Sequence, residues 1–286
     1  MEIQSLPDLL EGAEAGSLAD LHTHTTHSHD GKQTVSQLRE AAHKAGLSYV
    51  CVTDHCDFLL NDDAFNRQVQ KAIYGSFDDV SAVSREENRF RLFAGLELGQ
   101  ERHAPEIAAE TLRGRDWDFV LGSIHNTKGD HDPYYIDFTG WTQQQVWALM
   151  DKYLEELTDL AQNGDYDSLA HITYPLRYIV GNYGFHMDEK AMAPAYDVIL
   201  KSVISRNKAL EINTGGIRKK IGLPSPDLPL AARYYELGGR RITIGSDAHY
   251  VEHMGADIAP ICPQLKAIGF EGICVFEKRQ PRLLPF

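Results

Sequence analysis

The sequence LADLHTHTTHSHDGKQTVSQLREAAHKAGLSYVCVT, residues 18–53, contains a short apolar run, a helical pattern and a second apolar run. The first run, Leu18–Leu21, precedes a pair of histidines, and Thr34 with Gln37 forms a capping-box pattern. Apolar and small side chains then recur at helical spacing as far as Gly46, and glycine is the residue that most easily ends a helix. The pattern predicts a strand–helix–strand unit.

The rest of the chain repeats this alternation of apolar runs and helical patterns. Helices are predicted over Gln143–Gln162, Lys190–Arg206 and Leu228–Leu237. The apolar runs are Leu18–Leu21, Tyr49–Thr53, Arg91–Leu98, Phe119–Ile124, Ser168–Ala170, Ala209–Asn213, Ile242–Ile244 and Gly272–Phe276. Strands that alternate with helices predict an α/β fold with a mostly parallel sheet, and seven or eight such units favour a barrel. Because we find no internal repeat and no long linker, we expect one domain over residues 1–286.

Composition excludes several classes of protein. The chain has 286 residues, 43% of them hydrophobic, and a formal net charge of −13, which argues against a non-specific nucleic-acid binder. No run approaches the roughly 18 apolar residues of a membrane span, and the first residues lack the features of a signal peptide. We therefore expect a cytoplasmic protein with no membrane partner. The four cysteines form no C-x-x-C pair and are expected to be reduced and structural.

Residues of the types that bind metals follow or end six of the predicted strands. These residues are Asp20, His22, His24, Asp54, His55, Glu97, His125, His171, Asp247 and His249. Imidazole and carboxylate are preferred ligands of Zn²⁺, Mn²⁺ and Fe²⁺, and barrels carry their functional groups at the carboxyl ends of the strands. On a strand, an H-x-H pair places both imidazoles on one face; the D-A-H segment would do the same if its strand continues. We therefore predict a metal site at this rim.

Five motifs together resemble a known superfamily. They are D-x-H-x-H-T-x-x-S-x-D-G (Asp20 to Gly31), T-D-H (Thr53 to His55), G-x-E (Gly95 to Glu97), G-S-x-H (Gly122 to His125) and G-S-D-A-H (Gly245 to His249). In this combination they resemble the PHP phosphoesterases, the polymerase and histidinol phosphatase proteins, from about residue 18 to residue 260. Residues 211–219 and 175–178 are similar to the monofunctional histidinol-phosphatase branch.

The resemblance implies a distorted (β/α)7 TIM-like barrel that holds three divalent metal ions, which would be Zn, Mn or Fe. The implied ligands are His22, His24, Glu97 and Asp247 for the first ion, Glu97, His125 and His171 for the second, and Asp30, His55 and His249 for the third. His27 and His29 flank Asp30, and either could replace it. The sequence departs from many relatives after His171, where Ile172-Thr173 stands in place of an acidic residue.

The implied activity is hydrolysis of L-histidinol phosphate to L-histidinol and phosphate, a step of histidine biosynthesis. A hydroxide that bridges the first two ions would attack phosphorus. Arg218 and Arg177 are the expected phosphate-binding residues because guanidinium matches phosphate oxygens in pairs. His249 is a candidate proton donor as well as a ligand, and Asp54 is expected to orient a ligand histidine.

Three alternatives remain open at this point. The substrate could be another small phosphate ester, such as a nucleotide. An amidohydrolase also uses H-x-H, two later histidines and an aspartate, although a binuclear centre would not need Asp30, His55 and His249. The third alternative is a non-catalytic metal-binding or polymerase-associated module.

Overall fold

Parallel strands form the main sheet of this computed structural model, which describes residues 17–286. The strands of this sheet are β1 (Leu18–Thr23), β2 (Leu47–Val52), β3 (His55–Asp57), β4 (Arg91–Gly99), β5 (Phe119–Ser123), β6 (Ser168–Leu169), β7 (Ala209–Asn213) and β8 (Ile242–Gly245). Seven of them lie side by side in the order β1-β2-β4-β5-β6-β7-β8, and β3 pairs with β4. Residues 1–16, which the single-domain and signal-peptide expectations include, lie outside the described part.

The sheet curves until its two outer strands meet at their carboxyl ends. Thr23 forms a parallel bridge with Ala248, and the Asp247 N–H donates to the carbonyl of His22 over 2.8 Å. A Cβ atom on Gly245 would lie 2.2 Å from Cβ of His22, so only glycine permits this approach. The buried Asp20 carboxylate stabilises the junction by accepting the N–H groups of Ser246 and of the segment beyond it. The α/β barrel predicted from the sequence is confirmed.

Helices connect the strands and cover the outside of the sheet. In the described residues they are α1 (Val35–Lys44), α2 (Asp63–Glu86), α3 (Pro105–Arg113), α4 (Gln143–Asn163), α5 (Leu176–Ile179), α6 (Glu189–Ser205), α7 (Leu228–Glu236) and α8 (Ile258–Ile268). The capping box of Thr34 and Gln37 is present, and Gly46 follows the helix with φ +70°. The predicted helices α4, α6 and α7 are confirmed to within one residue at each end. The sequence analysis named no helix at the positions of α2, α3, α5 and α8.

Two predicted strands differ from the structure. The chain leaves the sheet at Thr53-Asp54, so the second apolar run continues as β3, which pairs with the second half of β4. The run Gly272–Phe276 belongs to β9 (Gly272–Glu277), which pairs antiparallel with β10 (Gln280–Pro285) and is not a barrel strand. An apolar run does not specify its pairing partner, so this part of the prediction was wrong.

The β9–β10 hairpin covers the amino-terminal end of the barrel. Phe276 stacks on Phe119 at 4.9 Å, and the Lys278 N–H donates to Asp118 just before β5. The barrel interior is filled by small and medium side chains together with these rings. Apolar contacts thus close the amino-terminal end of the barrel. The polar side chains described below lie at the opposite, carboxyl-terminal rim. All four cysteines are free, and no helix in residues 17–286 combines the length and apolarity needed to span a bilayer.

Candidate metal centre

Glu97, at the carboxyl half of β4, lies at the centre of the rim and is completely buried. Its Oε1 is 2.8 Å from Nε2 of His171 and 3.1 Å from Nε2 of His125. Its Oε2 is 3.3 Å from Nε2 of His22 and 2.8 Å from Nδ1 of His55. One carboxylate thus contacts imidazoles that come from four different strand ends. The convergence predicted from the strand-end residues is confirmed by this geometry.

All the predicted ligand residues except Asp30 fall into overlapping groups, one of which also includes Asp57, and the donor atoms within each group lie within 4.8 Å of one another. The groups are His22, His24 and Asp247; His22, Glu97 and His171; His24, His55 and His249; and His55, Asp57 and His125. Neutral imidazole nitrogens and carboxylate oxygens are suitable for Zn²⁺, Mn²⁺ or Fe²⁺. Several donor sets for metal ions are therefore present at one rim.

Polar atoms without hydrogen bonds point into the same space. Nε2 of His22, Nε2 of His24, Nδ1 of His55 and Oε2 of Glu97 are buried and lack a hydrogen bond of acceptable geometry to any group in residues 17–286. Buried polar atoms are normally satisfied, and leaving one unpaired costs roughly 1–3 kcal/mol. Donor atoms left unpaired in this way fit bound cations, which would use them as ligands.

Asp30, and not its neighbour His27, faces this cluster. Oδ2 of Asp30 is 3.1 Å from Nε2 of His249, and Oδ1 is 3.6 Å from Nε2 of His55. His27 is directed away and contacts Asp79 at 2.9 Å. His29 lines the cavity above the cluster, with its ring 5.4 Å from that of His55. The geometry therefore favours Asp30, and not His27, as the ligand that joins His55 and His249.

The charges of the cluster are strongly coupled. Burial lowers the pKa of His55, but the carboxylates of Glu97 and Asp57 outweigh it and raise that pKa to about 9. The pKa values of His22 and His125 are raised for the same reason, by Glu97 together with Glu211 and Asp57 respectively. Without a metal ion these imidazoles hold protons that balance the carboxylates, and a bound cation would replace those protons.

Hydrogen bonds orient most of the imidazoles with Nε2 toward the centre. Nδ1 of His22 contacts Glu211 at 2.6 Å, Nδ1 of His125 contacts Asp57 at 2.9 Å, and Nδ1 of His249 contacts the carbonyl of Asp247 at 3.0 Å. A proton on Nδ1 leaves the Nε2 lone pair free for a metal ion. These three contacts therefore prepare the tautomer that a ligand needs.

Asp54 acts on the cluster through Ser28. The Ser28 hydroxyl donates to the buried Asp54 over 2.6 Å, lies 3.1 Å from Nδ1 of His24, and accepts the His55 N–H over 3.0 Å. The same carboxylate accepts from Thr25 and from Ser76 of α2. The residue that the sequence analysis expected to orient a ligand histidine thus does so through one intervening hydroxyl.

Two of the predicted ligands occupy left-handed backbone conformations. φ is +58° at Asp247 and +24° at His171, values that non-glycine residues rarely adopt. The D-A-H segment does not continue β8 as an extended strand, which was the condition for the alternation argument. Asp247 reaches the centre through this backbone turn instead, with Oδ1 3.5 Å from Nε2 of His24.

Both predicted phosphate-binding arginines line the cavity over the cluster. Arg177, on α5, is buried, and its guanidinium contacts Asp247 at 3.0 Å and Asn213 at 2.6 Å. Arg218 contacts Asp257 at 3.3 Å and the carbonyl of Ser246. Each guanidinium is held by contacts with the rim, so both are positioned in advance beside the predicted ligands.

Asp57 and Glu211 orient ligand histidines, and the sequence analysis missed both. Asp57 follows His55 by two residues on β3, so the period of two puts both on one face, as for an H-x-H pair. Glu211 and Asn213 show the same spacing at the end of β7. An acidic residue two positions from a histidine or asparagine at a strand end was the available signal.

A family model described as the PHP domain matches residues 20–215. The chain belongs to the PHP domain family. The match covers the strand ends from Asp20 to Gly215, and the sheet continues beyond it to β8, which is followed by Asp247 and His249. The predicted superfamily is confirmed.

Relatives with related names cover nearly the whole chain. A protein of Thermotoga maritima named "Probable histidinol-phosphatase" is 28% identical over 92% of this chain and 97% of its own length. A protein of the same name from Clostridium acetobutylicum is 29% identical over 91% and 97%. The crystal structure of histidinol phosphate phosphatase from Lactococcus lactis, complexed with zinc, L-histidinol and phosphate, aligns with TM-score 0.77 and 25% identity, covering 93% of this chain and 98% of that one.

Proposed function

We propose that this protein is a metal-dependent phosphomonoesterase that hydrolyses L-histidinol phosphate to L-histidinol and phosphate. The observation that carries this proposal is one buried carboxylate, Glu97, surrounded by imidazoles beneath a cavity that two arginines line. The Lactococcus lactis relative, whose structure contains zinc, L-histidinol and phosphate, supports the choice of substrate. A role in histidine biosynthesis, a cytoplasmic location and a single domain over residues 1–286 belong to the same proposal.

Three divalent ions would be held by residues of the overlapping groups together with Asp30. The proposed ligands are His22, His24, Glu97 and Asp247 for one ion, Glu97, His125 and His171 for a second, and Asp30, His55 and His249 for a third. Divalent ions bound there would activate water and neutralise charge on the phosphoryl group. Glu97 has both oxygens directed at imidazoles and is suited to bridge two ions. Zinc is the metal of the solved relative; manganese or iron would suit the same donors.

The arginines would bind the phosphoryl oxygens. Arg177 presents a planar set of N–H donors, and its buried Nε has no hydrogen-bond partner within the described part of the chain. Its contact with Asp247 couples the position of a phosphate group to the position of a proposed ligand. Because guanidinium can donate to two oxygens at once, this arrangement would restrain the phosphoryl group for in-line displacement.

His249 is better suited to be a ligand than a proton donor. Its Nδ1 contacts the backbone carbonyl of Asp247, an acceptor, so that nitrogen carries the proton. Its Nε2 then has the free lone pair and is directed at Asp30 and His55. We therefore assign the ligand role to His249 and leave protonation of the leaving alcohol to water.

The cavity is matched to a small molecule. Its volume is about 250 Å³, near the lower end of the roughly 300–1,000 Å³ typical of small-molecule sites. The formal net charge of −13 disfavours binding of a polyanion such as a nucleic acid at long range. Both observations support a compact phosphate ester as the substrate.

A panel of phosphomonoesters, assayed with purified protein of known metal content, tests the proposal. We expect activity to disappear on chelation, to return with Zn²⁺ or Mn²⁺, and to be highest on L-histidinol phosphate. Higher activity on a nucleotide would replace L-histidinol phosphate as the proposed substrate but would leave the proposed reaction unchanged. Faster turnover of an amide or lactone than of any phosphate, or fewer than two ions per reconstituted chain, would refute the proposal.

A further inference from the structure

Asp132 sets one side of the cavity apart from the rest. The residue lies on the segment between β5 and α4 and lines the cavity, as do Asp30, Asp57 and Asp247. Each of those three carboxylates has a histidine or arginine nitrogen within 4 Å, at 3.1, 2.9 and 3.0 Å respectively. In residues 17–286 no arginine, lysine or histidine nitrogen lies within salt-bridge distance of Asp132. Its charge is therefore without a counter-ion.

The partners of Asp132 are neutral hydrogen-bond donors. The Tyr174 hydroxyl lies 2.9 Å from Oδ1 and 3.1 Å from Oδ2, and the Tyr134 N–H donates to Oδ1 over 2.8 Å. These bonds fix the direction of the carboxylate without neutralising it. Burial raises the pKa of Asp132, as expected for a carboxylate in this setting, and the nearby His125 lowers it by a smaller amount. A cationic ligand would remove this penalty.

Tyr174 lies between Asp132 and the metal centre. The Tyr174 ring lies 5.1 Å from the ring of His125 and 5.2 Å from the ring of His171, while its hydroxyl contacts Asp132. Asp132 is therefore one tyrosine side chain away from two proposed ligands. A phosphate ester bound at the centre would therefore have to extend a second charged group only along Tyr174 to approach Asp132.

Aromatic rings surround the same part of the cavity. Tyr178 packs against Tyr174 at 5.3 Å and against Tyr134 at 5.8 Å, in both cases edge to face. Tyr134 is 58% exposed, so one face of this group is available to a ligand. Aromatic faces attract cations and pack well against flat rings. The surroundings of Asp132 thus suit a molecule that combines a positive charge with an aromatic ring.

We propose that Asp132 binds the ammonium group of the substrate and selects phosphate esters that carry an amine close to the phosphate. The identity of the ester rests on the proposed function, since L-histidinol phosphate carries its amine on the carbon next to the phosphate-bearing one. The preference for a positive charge rests only on Asp132 and its surroundings. Asp132 is thus a specificity-determining residue that lies outside the proposed ligand sets.

A comparison of two esters in wild-type and variant protein tests this role. One ester is L-histidinol phosphate, and the other is its analogue without the amine, 3-(imidazol-4-yl)propyl phosphate. In the wild type we expect kcat/KM to be about 10- to 100-fold higher for the aminated ester, the range of a charged hydrogen bond. Asp132→Asn should remove most of that difference by lowering only the value for the aminated ester. The affinity for inorganic phosphate should not change.

Asp137→Asn is the matched control. Asp137 lies on the same segment, is exposed, and accepts the Thr139 N–H. It does not line the cavity. Both kcat/KM values should stay as in the wild type. Asp132→Glu, which keeps the charge, should retain part of the preference for the amine.

Several outcomes would overturn the role of Asp132. Equal kcat/KM for the two esters in the wild type would do so without any variant, and so would an equal loss on both esters in Asp132→Asn. If the wild type hydrolyses neither ester, the proposed function fails. In that case O-phosphoethanolamine and ethyl phosphate, as competitive inhibitors of whichever other phosphomonoester of the panel is hydrolysed, decide the charge preference. Equal inhibition by these two compounds would refute it.

Discussion

Glu211 contacts His22 on the side of the ring that faces away from Glu97: its Oε1 lies 2.6 Å from Nδ1 of His22. The other oxygen of the same carboxylate accepts the backbone N–H of His171 over 2.8 Å. The end of β7 is thereby joined to β1 and to the segment after β6. Since Glu211 is buried and does not line the cavity, its contribution is to set the orientation of two proposed ligands.

Glu211→Gln should weaken metal binding and leave the barrel folded. The amide can still accept the Nδ1 proton of His22, but it no longer supplies the negative charge that raises the basicity of the ring. We expect metal affinity to fall by about 10- to 100-fold, which competition with a chromophoric chelator would measure. Glu236→Gln, on the exposed side of α7, is the control and should bind metal like the wild type. Unchanged affinity in Glu211→Gln would contradict the assigned role.

Arg177→Lys should impair turnover although it keeps the positive charge. The guanidinium contacts Asp247 and Asn213 at once, and a single ammonium on a flexible chain cannot reproduce both contacts together with a phosphate. We expect kcat/KM to fall by about 10- to 100-fold, from a steady-state assay with L-histidinol phosphate. Arg240→Lys, where the guanidinium packs on Tyr235, is the control. Activity within about twofold of the wild type in Arg177→Lys would argue against phosphate binding by this residue.

Asp54→Asn should lower stability although Asp54 is not a proposed ligand. The carboxylate accepts from the Thr25 N–H and from the hydroxyls of Thr25, Ser28 and Ser76 over 2.6–2.7 Å. An amide would place its own N–H₂ against these donors, so we expect the free energy of unfolding to fall by about 2–3 kcal/mol. Urea denaturation measures this change. Asp78→Asn, which breaks an exposed ion pair with Arg115, should cost about 0.5 kcal/mol or less. Equal effects of the two substitutions would show that the hydrogen bonds accepted by Asp54 do not stabilise the fold.

Stability should fall between pH 6.5 and 9 in the metal-free protein and not in the metal-loaded protein. The pKa of His55 rises from its ordinary 6.5 to about 9 in the metal-free fold, so its protonated form stabilises the fold below pH 6.5. That stabilisation is lost as the pH rises from 6.5 to 9. We therefore expect chelated protein to lose up to about 3 kcal/mol of unfolding free energy over this interval.

Metal-loaded protein is the control for the pH dependence, because its ligand imidazoles are already neutral. Urea denaturation at several pH values, in chelator and in Zn²⁺, measures both curves. A flat or rising curve for the chelated protein between pH 6.5 and 9 would show that Glu97 and Asp57 do not hold a proton on His55.

Local patterns were sufficient for the alternation of strands and helices and for most of the strand-end residues that meet at the rim. The capping box at Thr34, the helical spacing before Gly46 and the H-x-H pair at His22 depend on neighbours within a few residues. Parallel strands bring their carboxyl ends to one rim, so residues that follow the apolar runs were expected to meet. The distances from Glu97 to His22 and His125 bear this out.

Relations between distant segments could not be obtained in that way. The chain alone does not reveal that β2 breaks at Thr53, or that Gly272–Glu277 turns back to cover the barrel instead of joining it. It also does not show that Glu211 supports His22, or that Asp132 has no counter-ion among residues 17–286. Such contacts depend on how far the sheet curves and on the register of strands that are many residues apart. Periodicity and capping report only on the nearest turns of the backbone, whereas closure of the barrel brings these side chains together.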